Sequence, residues 1–257
     1  MKTIKYLRCI GIVLIMQLIS IGMYANPLDT ELNDAAKAYD AANYSLAIEL
    51  YEGILQKNGD SQAVYYNLGN AYFKENKIAE SILNYERALL IDPSDEDTQF
   101  NLEIVKQKTV DKIEAIDLFF VNKYLQRIQN SLSVNTWGAL GISSFIIFII
   151  CLVMFFFGRH IRIKKIGFYT ASVAIVITII SNSFAYNQLD EQISRDKAIV
   201  FTPTISIKGS PDKSGTDLFV LHEGTKVTVM SKLGDWSEIE VADGNKGWIE
   251  SKNIRTI

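Results

Sequence analysis

Two long stretches without any charged side chain constrain this sequence more than any other feature. No Asp, Glu, Lys or Arg occurs in residues 128–158 or 166–189. About 20 predominantly apolar residues are enough for a helix to cross the hydrocarbon core of a bilayer. We therefore predict two transmembrane helices, at residues 136–158 and 166–186. Two buried helices of a globular core are the alternative interpretation.

The connector between the two stretches, residues 159–165, reads RHIRIKK and is strongly basic. Short basic loops stay on the cytoplasmic side of a membrane. The connector is therefore predicted to be a cytoplasmic loop, which places the parts of the chain before and after the hairpin on the opposite side. Residues 187–197 are interpreted as a linker that follows the second span.

The first 25 residues have the layout of a secretory signal peptide. Lys2, Lys5 and Arg8 precede an apolar run, and Ala25 follows it as a small residue at a plausible cleavage site. Export of the segment that follows agrees with the topology that the basic connector predicts. An uncleaved membrane anchor is the alternative interpretation of residues 1–25.

The part of the chain before the spans is acidic and repetitive. Residues 27–112 carry 16 acidic and 8 basic side chains. This negative charge repels nucleic-acid phosphates and argues against DNA or RNA as a partner. When the segment is compared with itself at a shift of 34 residues, Asn33 aligns with Asn67 and Asn101. A repeat of this length indicates pairs of helices that stack side by side.

The second copy of the repeat shows the pattern most clearly. Leu68 and Tyr72 share one helical face, and Gly69 leaves room for a neighbouring helix. Pro93 ends the unit, because proline interrupts a helix. The spacing resembles the tetratricopeptide repeat, and the resemblance rests on Leu68, Gly69, Tyr72, Ser81, Tyr85, Ala88 and Pro93. It implies that residues 26–110 form an all-α solenoid of two repeats and the first helix of a third.

Solenoids of this kind usually bind a peptide or a partner helix on their concave face, and a spacer without a binding role is the alternative. Side-chain amides both donate hydrogen bonds to an extended peptide backbone and accept them from it. The candidate binding residues are the repeat asparagines and nearby aromatic residues, namely Asn33, Tyr66, Asn67, Asn70, Phe73 and Asn101. Hydrogen bonding of these asparagines to neighbouring helices is the alternative. The acidity of the segment favours a neutral or basic partner.

Residues 111–135, between the repeats and the first span, have apolar side chains at helical spacing. An amphipathic helix is predicted here. The favoured interpretation is that it caps the open end of the solenoid, and the alternative is that it lies along the membrane surface.

Residues 198–257 change to short runs of β-branched residues separated by turns that contain Gly and Asp, the pattern of a small barrel. The segment resembles the bacterial SH3-like domain, and the resemblance rests on Gly224, Thr225, Trp236, Gly247, Trp248 and Ile249. It implies binding of a peptide or of cell-wall material such as peptidoglycan. Trp236 and Trp248 are the candidate binding residues, although at least one of them is predicted to pack in the core. His222 is predicted to be a solvated turn residue.

The complete order of these parts resembles the BatE proteins of the Bacteroides aerotolerance operon. The predicted fold class is multidomain: an all-α tetratricopeptide repeat solenoid, a two-helix transmembrane hairpin and a small all-β SH3-like barrel. The resemblance implies a bacterial inner-membrane protein whose repeats and barrel face the periplasm. It also implies an envelope complex with von Willebrand factor A-type and other aerotolerance-operon proteins.

Few residues in the sequence suit catalysis or metal binding. There are two histidines and two cysteines, and both Cys9 and Cys151 lie in apolar runs. We therefore expect no cofactor, no metal and no disulfide framework. An enzymatic role would rest on His222 and scattered acids alone. The predicted function is a non-enzymatic adaptor or scaffold for envelope proteins, and the alternative is a receptor or sensor of peptidoglycan or stress peptides.

Overall fold

The computed structural model describes residues 27–113 and 120–257 of the chain. The signal peptide predicted for residues 1–25, together with Cys9, lies outside the described residues. The helices are α1 Pro27–Asp40, α2 Tyr44–Asn58, α3 Gln62–Lys74, α4 Ile78–Ile91, α5 Glu96–Lys106, α6 Phe120–Gln129, α7 Val134–Phe157 and α8 Ile161–Ser194. The strands are β1 Lys197–Val200, β2 Thr204–Lys208, β3 Asp217–His222, β4 Lys226–Leu233, β5 Trp236–Val241, β6 Lys246–Glu250 and β7 Ile254–Thr256.

Helices α1 to α5 form the repeat region, which consists of two helical hairpins followed by a single helix. Asn43 caps α2, because its side chain accepts a 3.3 Å hydrogen bond from the backbone N–H of Leu46. Helix α4 ends at Ile91, two residues before Pro93. Residues 107–113, which follow α5, contain no helix. The prediction of an all-α repeat region is therefore confirmed.

The spacing of small and large residues in the second repeat follows from the contact between α3 and α4. A Cβ added to Gly69 would lie 2.7 Å from Cδ1 of the Tyr85 ring. The Tyr85 ring cannot move away, since its side chain is only 1% exposed. Ser81 Oγ donates a 2.8 Å hydrogen bond to the carbonyl oxygen of Gly69. Glycine and serine therefore let the two helices approach closely enough for Tyr85 to fill the gap between them.

Helices α7 and α8 form an apolar hairpin. Each is long and apolar enough to cross a membrane, and only 17% of the most apolar window of each helix is buried. The helices approach closely at Gly167, where an added Cβ would lie 2.8 Å from the carbonyl oxygen of Cys151. The hydroxyl groups of Ser144 and Thr178 share a 2.8 Å hydrogen bond across the hairpin. The outward faces of both helices therefore remain apolar and exposed.

Two predicted boundaries of the hairpin are wrong. Because α8 begins at Ile161, most of the predicted loop 159–165 is the start of a helix. Helix α8 also continues through most of the predicted linker 187–197. Arg, Lys, Gln and Glu favour helix, and no proline interrupts this part of the sequence. The helix stops only at Arg195, which adopts a left-handed conformation with φ of 43°.

The seven strands form one antiparallel sheet in the order β3-β2-β6-β5-β4-β1-β7. We call residues 197–257 the β-module. Its core is aliphatic and includes Ile207, Ile239 and Ile249. Strand β7 pairs with β1 so that Ile254 lies opposite Val200. The prediction of a small all-β module of the SH3-like type is confirmed.

Neither tryptophan of the β-module belongs to its core. In β5 the buried residues are Ser237, Ile239 and Val241, which alternate with Trp236. In β6 the buried residues alternate with Trp248 in the same way. Both tryptophans are therefore half-buried on the outer side of the sheet, and the predicted packing of at least one in the core is wrong. The alternation of residues along β5 indicates this outward position, since Trp236 lies on the same face of the strand as Glu238.

A third apolar cluster joins the repeat region to the β-module. Ile199 of β1 and Ile257 pack with Ile82 and Val105 of the repeat region. The β-module therefore covers α4 and α5, the role that we predicted for a helix within residues 111–135. The helix found in that segment is α6, and it exposes its apolar side chains. The described helix α6 does not take the predicted capping role, since the β-module packs on α4 and α5 instead. Residues 114–119 of the predicted segment lie outside the described residues.

Candidate binding surfaces

The repeat region brings three of the predicted binding residues together. Asn70 Oδ1 accepts hydrogen bonds from the Tyr85 hydroxyl at 2.6 Å and from Asn101 Nδ2 at 3.0 Å. Asn101 Nδ2 also donates to the Tyr66 hydroxyl oxygen at 3.3 Å. Burial raises the pKa of Tyr85, so its hydroxyl stays protonated and donates. We call Tyr66, Asn70 and Asn101 the asparagine cluster; it links α3 to α5.

The asparagine cluster retains polar groups that its internal hydrogen bonds leave free. Within the part of the chain that the structure describes, Asn70 Nδ2 and Asn101 Oδ1 have no hydrogen-bond partner. Both residues are half-buried rather than enclosed. A peptide unit likewise offers one acceptor and one donor, which are the groups that these two free atoms can pair with. The hydrogen bonds between neighbouring helices therefore hold the cluster in place and use only part of its hydrogen-bonding capacity.

The other predicted residues of the repeats do not take part in these hydrogen bonds. Asn33 is exposed on α1, and Asn67 is half-buried on α3. Phe73, near the end of α3, is half-buried, and the ammonium group of Lys108 lies 5.6 Å from its ring centroid. Phe100 was not predicted, although it precedes Asn101 directly and is 67% exposed. The sequence feature that could have identified Phe100 is an aromatic residue in an otherwise polar part of α5.

The outer side of the β-module presents the two tryptophans among charged side chains. Trp248 lies opposite Glu238 of β5 and opposite Lys208 of β2. Trp236 lies opposite Glu250 on the neighbouring strand. Aromatic rings that are half-buried and flanked by charges can stack on a sugar ring or pack against a peptide side chain while the charges fix its orientation.

A polar contact that the sequence analysis missed joins the end of the repeats to the β-module. The Asp111 carboxylate accepts hydrogen bonds from the backbone N–H of His222 at 2.7 Å and from Thr225 Oγ1 at 2.6 Å. Nδ1 of His222 lies 2.7 Å from Asp111 Oδ1. His222 is half-buried here, so its interpretation as a solvated turn residue is wrong. No local pattern could reveal a contact between residues so far apart in sequence.

The turn beside His222 fits closely against the repeats. Gly224 has a φ of 84°, and an added Cβ there would lie 2.8 Å from Thr109 and 3.0 Å from Ile82. A left-handed conformation and a lack of space both require glycine at this position. The turn is therefore packed tightly against the repeat region, with no space for a side chain at Gly224.

A buried carboxylate lies on the same interface. Glu86 of α4 has a side chain only 7% exposed, and it forms ion pairs with Lys106 of α5 and with Lys226 of β4. Burial alone would raise the pKa of Glu86, but the two ammonium groups outweigh this effect and lower it. Glu86 therefore stays charged and joins the repeats to the β-module. Among residues 27–113 and 120–257 no group of three or more His, Cys, Asp or Glu side chains is placed to hold a metal ion.

Models of two known families match separate parts of the chain. The tetratricopeptide repeat model matches residues 63–95, which include most of α3 and all of α4. The bacterial SH3 domain model matches residues 204–255, which make up most of the β-module. A comparison with curated proteins found no match. The chain therefore combines a tetratricopeptide repeat region and an SH3-like module with two long apolar helices.

Proposed function

We propose that this chain is a non-enzymatic adaptor of the bacterial inner membrane that binds envelope proteins on the periplasmic side. Tetratricopeptide and SH3-like domains typically bind peptides, proteins or cell-wall material. The observation that carries the proposal is the interface formed by buried Glu86 and by the half-buried pair of Asp111 and His222. Because this interface fixes the β-module on the repeats, the binding surface of the repeats and that of the β-module are held at a fixed distance from each other.

The apolar hairpin supplies the membrane attachment of the proposed adaptor. Its helices expose large apolar side chains over most of their length, which is costly in water and favourable in lipid. The basic residues Arg159, Arg162, Lys164 and Lys165 cluster at the turn of the hairpin, and such clusters stay in the cytoplasm. This orientation places the repeats and the β-module in the periplasm.

An adaptor of this kind acts by proximity. A partner held by the asparagine cluster and a second partner held by the β-module become close neighbours, and the effective concentration of each for the other rises without new chemistry. The repeat region offers amide groups to a peptide backbone in acidic surroundings, which favours a neutral or basic partner segment. We propose that the partners are von Willebrand factor A-type and other proteins of an aerotolerance-type envelope complex.

Affinity capture of the full chain from solubilised membranes tests the role of the repeats. Phe73→Ala removes an aromatic side chain beside the asparagine cluster, and Leu46→Ala truncates an exposed apolar side chain on α2 as the matched control. We expect Phe73→Ala to lose partner proteins that the control retains. If both variants capture the same proteins in the same amounts, the repeat region is not the binding surface.

A cell-wall or stress-peptide receptor is the second candidate function, and the outward position of Trp236 and Trp248 favours it. Co-sedimentation of the full chain in detergent with purified sacculi separates it from the adaptor. The receptor predicts sedimentation that Trp248→Ala abolishes and that Met230→Ala, a substitution at an exposed residue of β4, leaves intact. Absence of sedimentation with the unaltered chain would reject peptidoglycan as the ligand.

A further inference from the structure

Helix α6 separates its apolar and polar side chains onto two faces. Val121, Tyr124, Leu125 and Ile128 recur at the spacing of one helical face. The opposite face carries Asn122, Lys123, Gln126 and Arg127. Three of the four apolar residues are exposed, with 41% of Val121, 64% of Tyr124 and 46% of Leu125 accessible. The apolar face of such an amphipathic helix is unfavourable in contact with water.

The apolar face of α6 is not covered by the described repeats or by the β-module. None of the apolar clusters in residues 27–113 and 120–257 includes a side chain of α6. The helix is instead fixed at its last residue, Gln129. The carbonyl oxygen of Gln129 accepts hydrogen bonds from Trp137 Nε1 at 2.8 Å and from Gln188 Nε2 at 2.7 Å. These two donors belong to α7 and α8, so α6 is attached to the hairpin.

The attachment point of α6 lies where the apolar spans end. Trp137 stands at the start of α7 and packs edge-on against Phe184 of α8 at 5.1 Å between ring centroids. Tyr186, which is 69% exposed, follows on α8, and Asp190 begins the charged part of that helix. Trp and Tyr at the end of a span mark the boundary between lipid and water. Gln129 is therefore held at that boundary.

The charge of α6 also fits a lipid surface. Its sequence, FVNKYLQRIQ, contains Lys123 and Arg127 and no acidic residue, whereas residues 27–112 carry twice as many acidic as basic side chains. Basic side chains of an in-plane helix reach the phosphate groups of the headgroups while their carbon chains cover apolar surface.

From these four features we infer that α6 lies in the plane of the membrane, in the headgroup layer of the periplasmic leaflet. Val121, Tyr124, Leu125 and Ile128 face the acyl chains, and Lys123 and Arg127 face the lipid phosphates. This inference rests on the proposed membrane hairpin, since only lipid around α7 and α8 brings a bilayer to α6. It also means that the repeats are held close to the membrane surface.

Spin-label accessibility in the full chain tests this placement. Cys151→Ala and Cys9→Ser remove the native thiols, and single cysteines then replace Tyr124, Leu125, Asn122 and Gln126 in turn. Each labelled chain is placed in vesicles of phosphatidylcholine and phosphatidylglycerol. Frequent collision of the spin label with oxygen indicates that the label lies in lipid, and frequent collision with a water-soluble nickel chelate indicates that it lies in water. We expect the oxygen-to-nickel ratio to be several-fold higher at positions 124 and 125 than at positions 122 and 126.

Two further labels separate this inference from the proposed membrane hairpin. Ile146→Cys, at an exposed position of α7, should report lipid, and Leu46→Cys, at an exposed position of the repeats, should report water. If position 146 reports lipid while position 124 reports water or resists both reagents, the in-plane helix is rejected and the hairpin stands. If position 146 reports water, the hairpin and the in-plane helix fall together.

Discussion

Asp111, at the end of the repeats, holds His222 of the β-module: Nδ1 of His222 lies 2.7 Å from Asp111 Oδ1, and the backbone N–H of His222 donates to Oδ2 of the same carboxylate. Thr225 Oγ1 adds a third hydrogen bond. The Asp111 side chain is 14% exposed, so water cannot readily replace these partners. One carboxylate therefore fixes both ends of the turn that docks against the repeats.

We expect Asp111→Ala to lower the free energy of unfolding by about 1–3 kcal/mol, because three hydrogen bonds to a charged and largely buried acceptor are lost together. Urea unfolding of the full chain in detergent, followed by circular dichroism, measures the change. Asp97→Ala is the matched control, since Asp97 is exposed on α5. Equal stability of the two variants would show that the Asp111 contact contributes nothing.

The interface should also weaken in acid. Burial by itself would raise the pKa of Asp111, but hydrogen bonds from Thr225 and His222 outweigh it and lower the pKa. The pKa of buried Glu86 is lowered as well, by Lys226 and Lys106 against the effect of burial. A carboxylate whose pKa is lowered by folding stabilises the folded state above its unfolded pKa, near 4. That contribution is lost as the pH falls through the folded value.

We therefore expect the contact between the repeats and the β-module to be stable from neutral pH to about pH 5 and to weaken below about pH 4. Hydrogen exchange at the amide of His222, corrected for the intrinsic effect of pH, measures this opening. Asp111→Ala should remove most of the acid dependence at that amide. Protection that persists unchanged to about pH 3 would contradict the assignment.

Gly69 and Gly53 form a matched pair for testing the contact between helices of the second repeat. A Cβ at Gly69 would collide with the Tyr85 ring, whereas a Cβ at Gly53 would meet nothing within 4 Å. We expect Gly69→Ala to destabilise the repeats by about 1–3 kcal/mol through overpacking. Gly53→Ala should stabilise them by about 0.5–1 kcal/mol through helix propensity. Thermal unfolding of both variants gives the comparison, and a harmless Gly69→Ala would refute the close approach.

The parts of the fold that the sequence predicted are those with a local period. The 34-residue repeat places Gly69, Ser81 and Tyr85 at positions that stack two helices, and the structure brings these residues into contact. The charge-free stretches likewise become α7 and α8. In each case a pattern within a few tens of residues is sufficient, because the partners in the contact are close in sequence.

The parts that the sequence did not predict depend on contacts between distant residues. In the sequence, Glu86 cannot be distinguished from any other charged residue of an amphipathic helix. Its burial becomes evident only in the structure, where Lys226 of β4 contacts it. The contact of half-buried His222 with the repeats depends in the same way on Asp111, which is distant in sequence. Of the candidate site residues, Tyr66, Asn70 and Asn101 meet in the structure. A binding role stays a prediction for these three and also for Asn33, Asn67, Phe73, Trp236 and Trp248.

The hairpin offers a second matched pair, which tests how closely its helices pack. A Cβ at Gly167 would lie 2.8 Å from the Cys151 carbonyl oxygen and 3.1 Å from the backbone nitrogen of Phe155, and backbone atoms cannot give way as a side chain can. A Cβ at Gly138 would meet nothing within 4 Å. We expect Gly167→Ala to destabilise the hairpin by about 1–3 kcal/mol and Gly138→Ala to be nearly neutral. Unfolding in mixed micelles with increasing dodecyl sulfate, followed by circular dichroism, measures the stability of both variants. If the Gly167→Ala variant is as stable as the Gly138→Ala variant, α7 and α8 do not meet at this glycine.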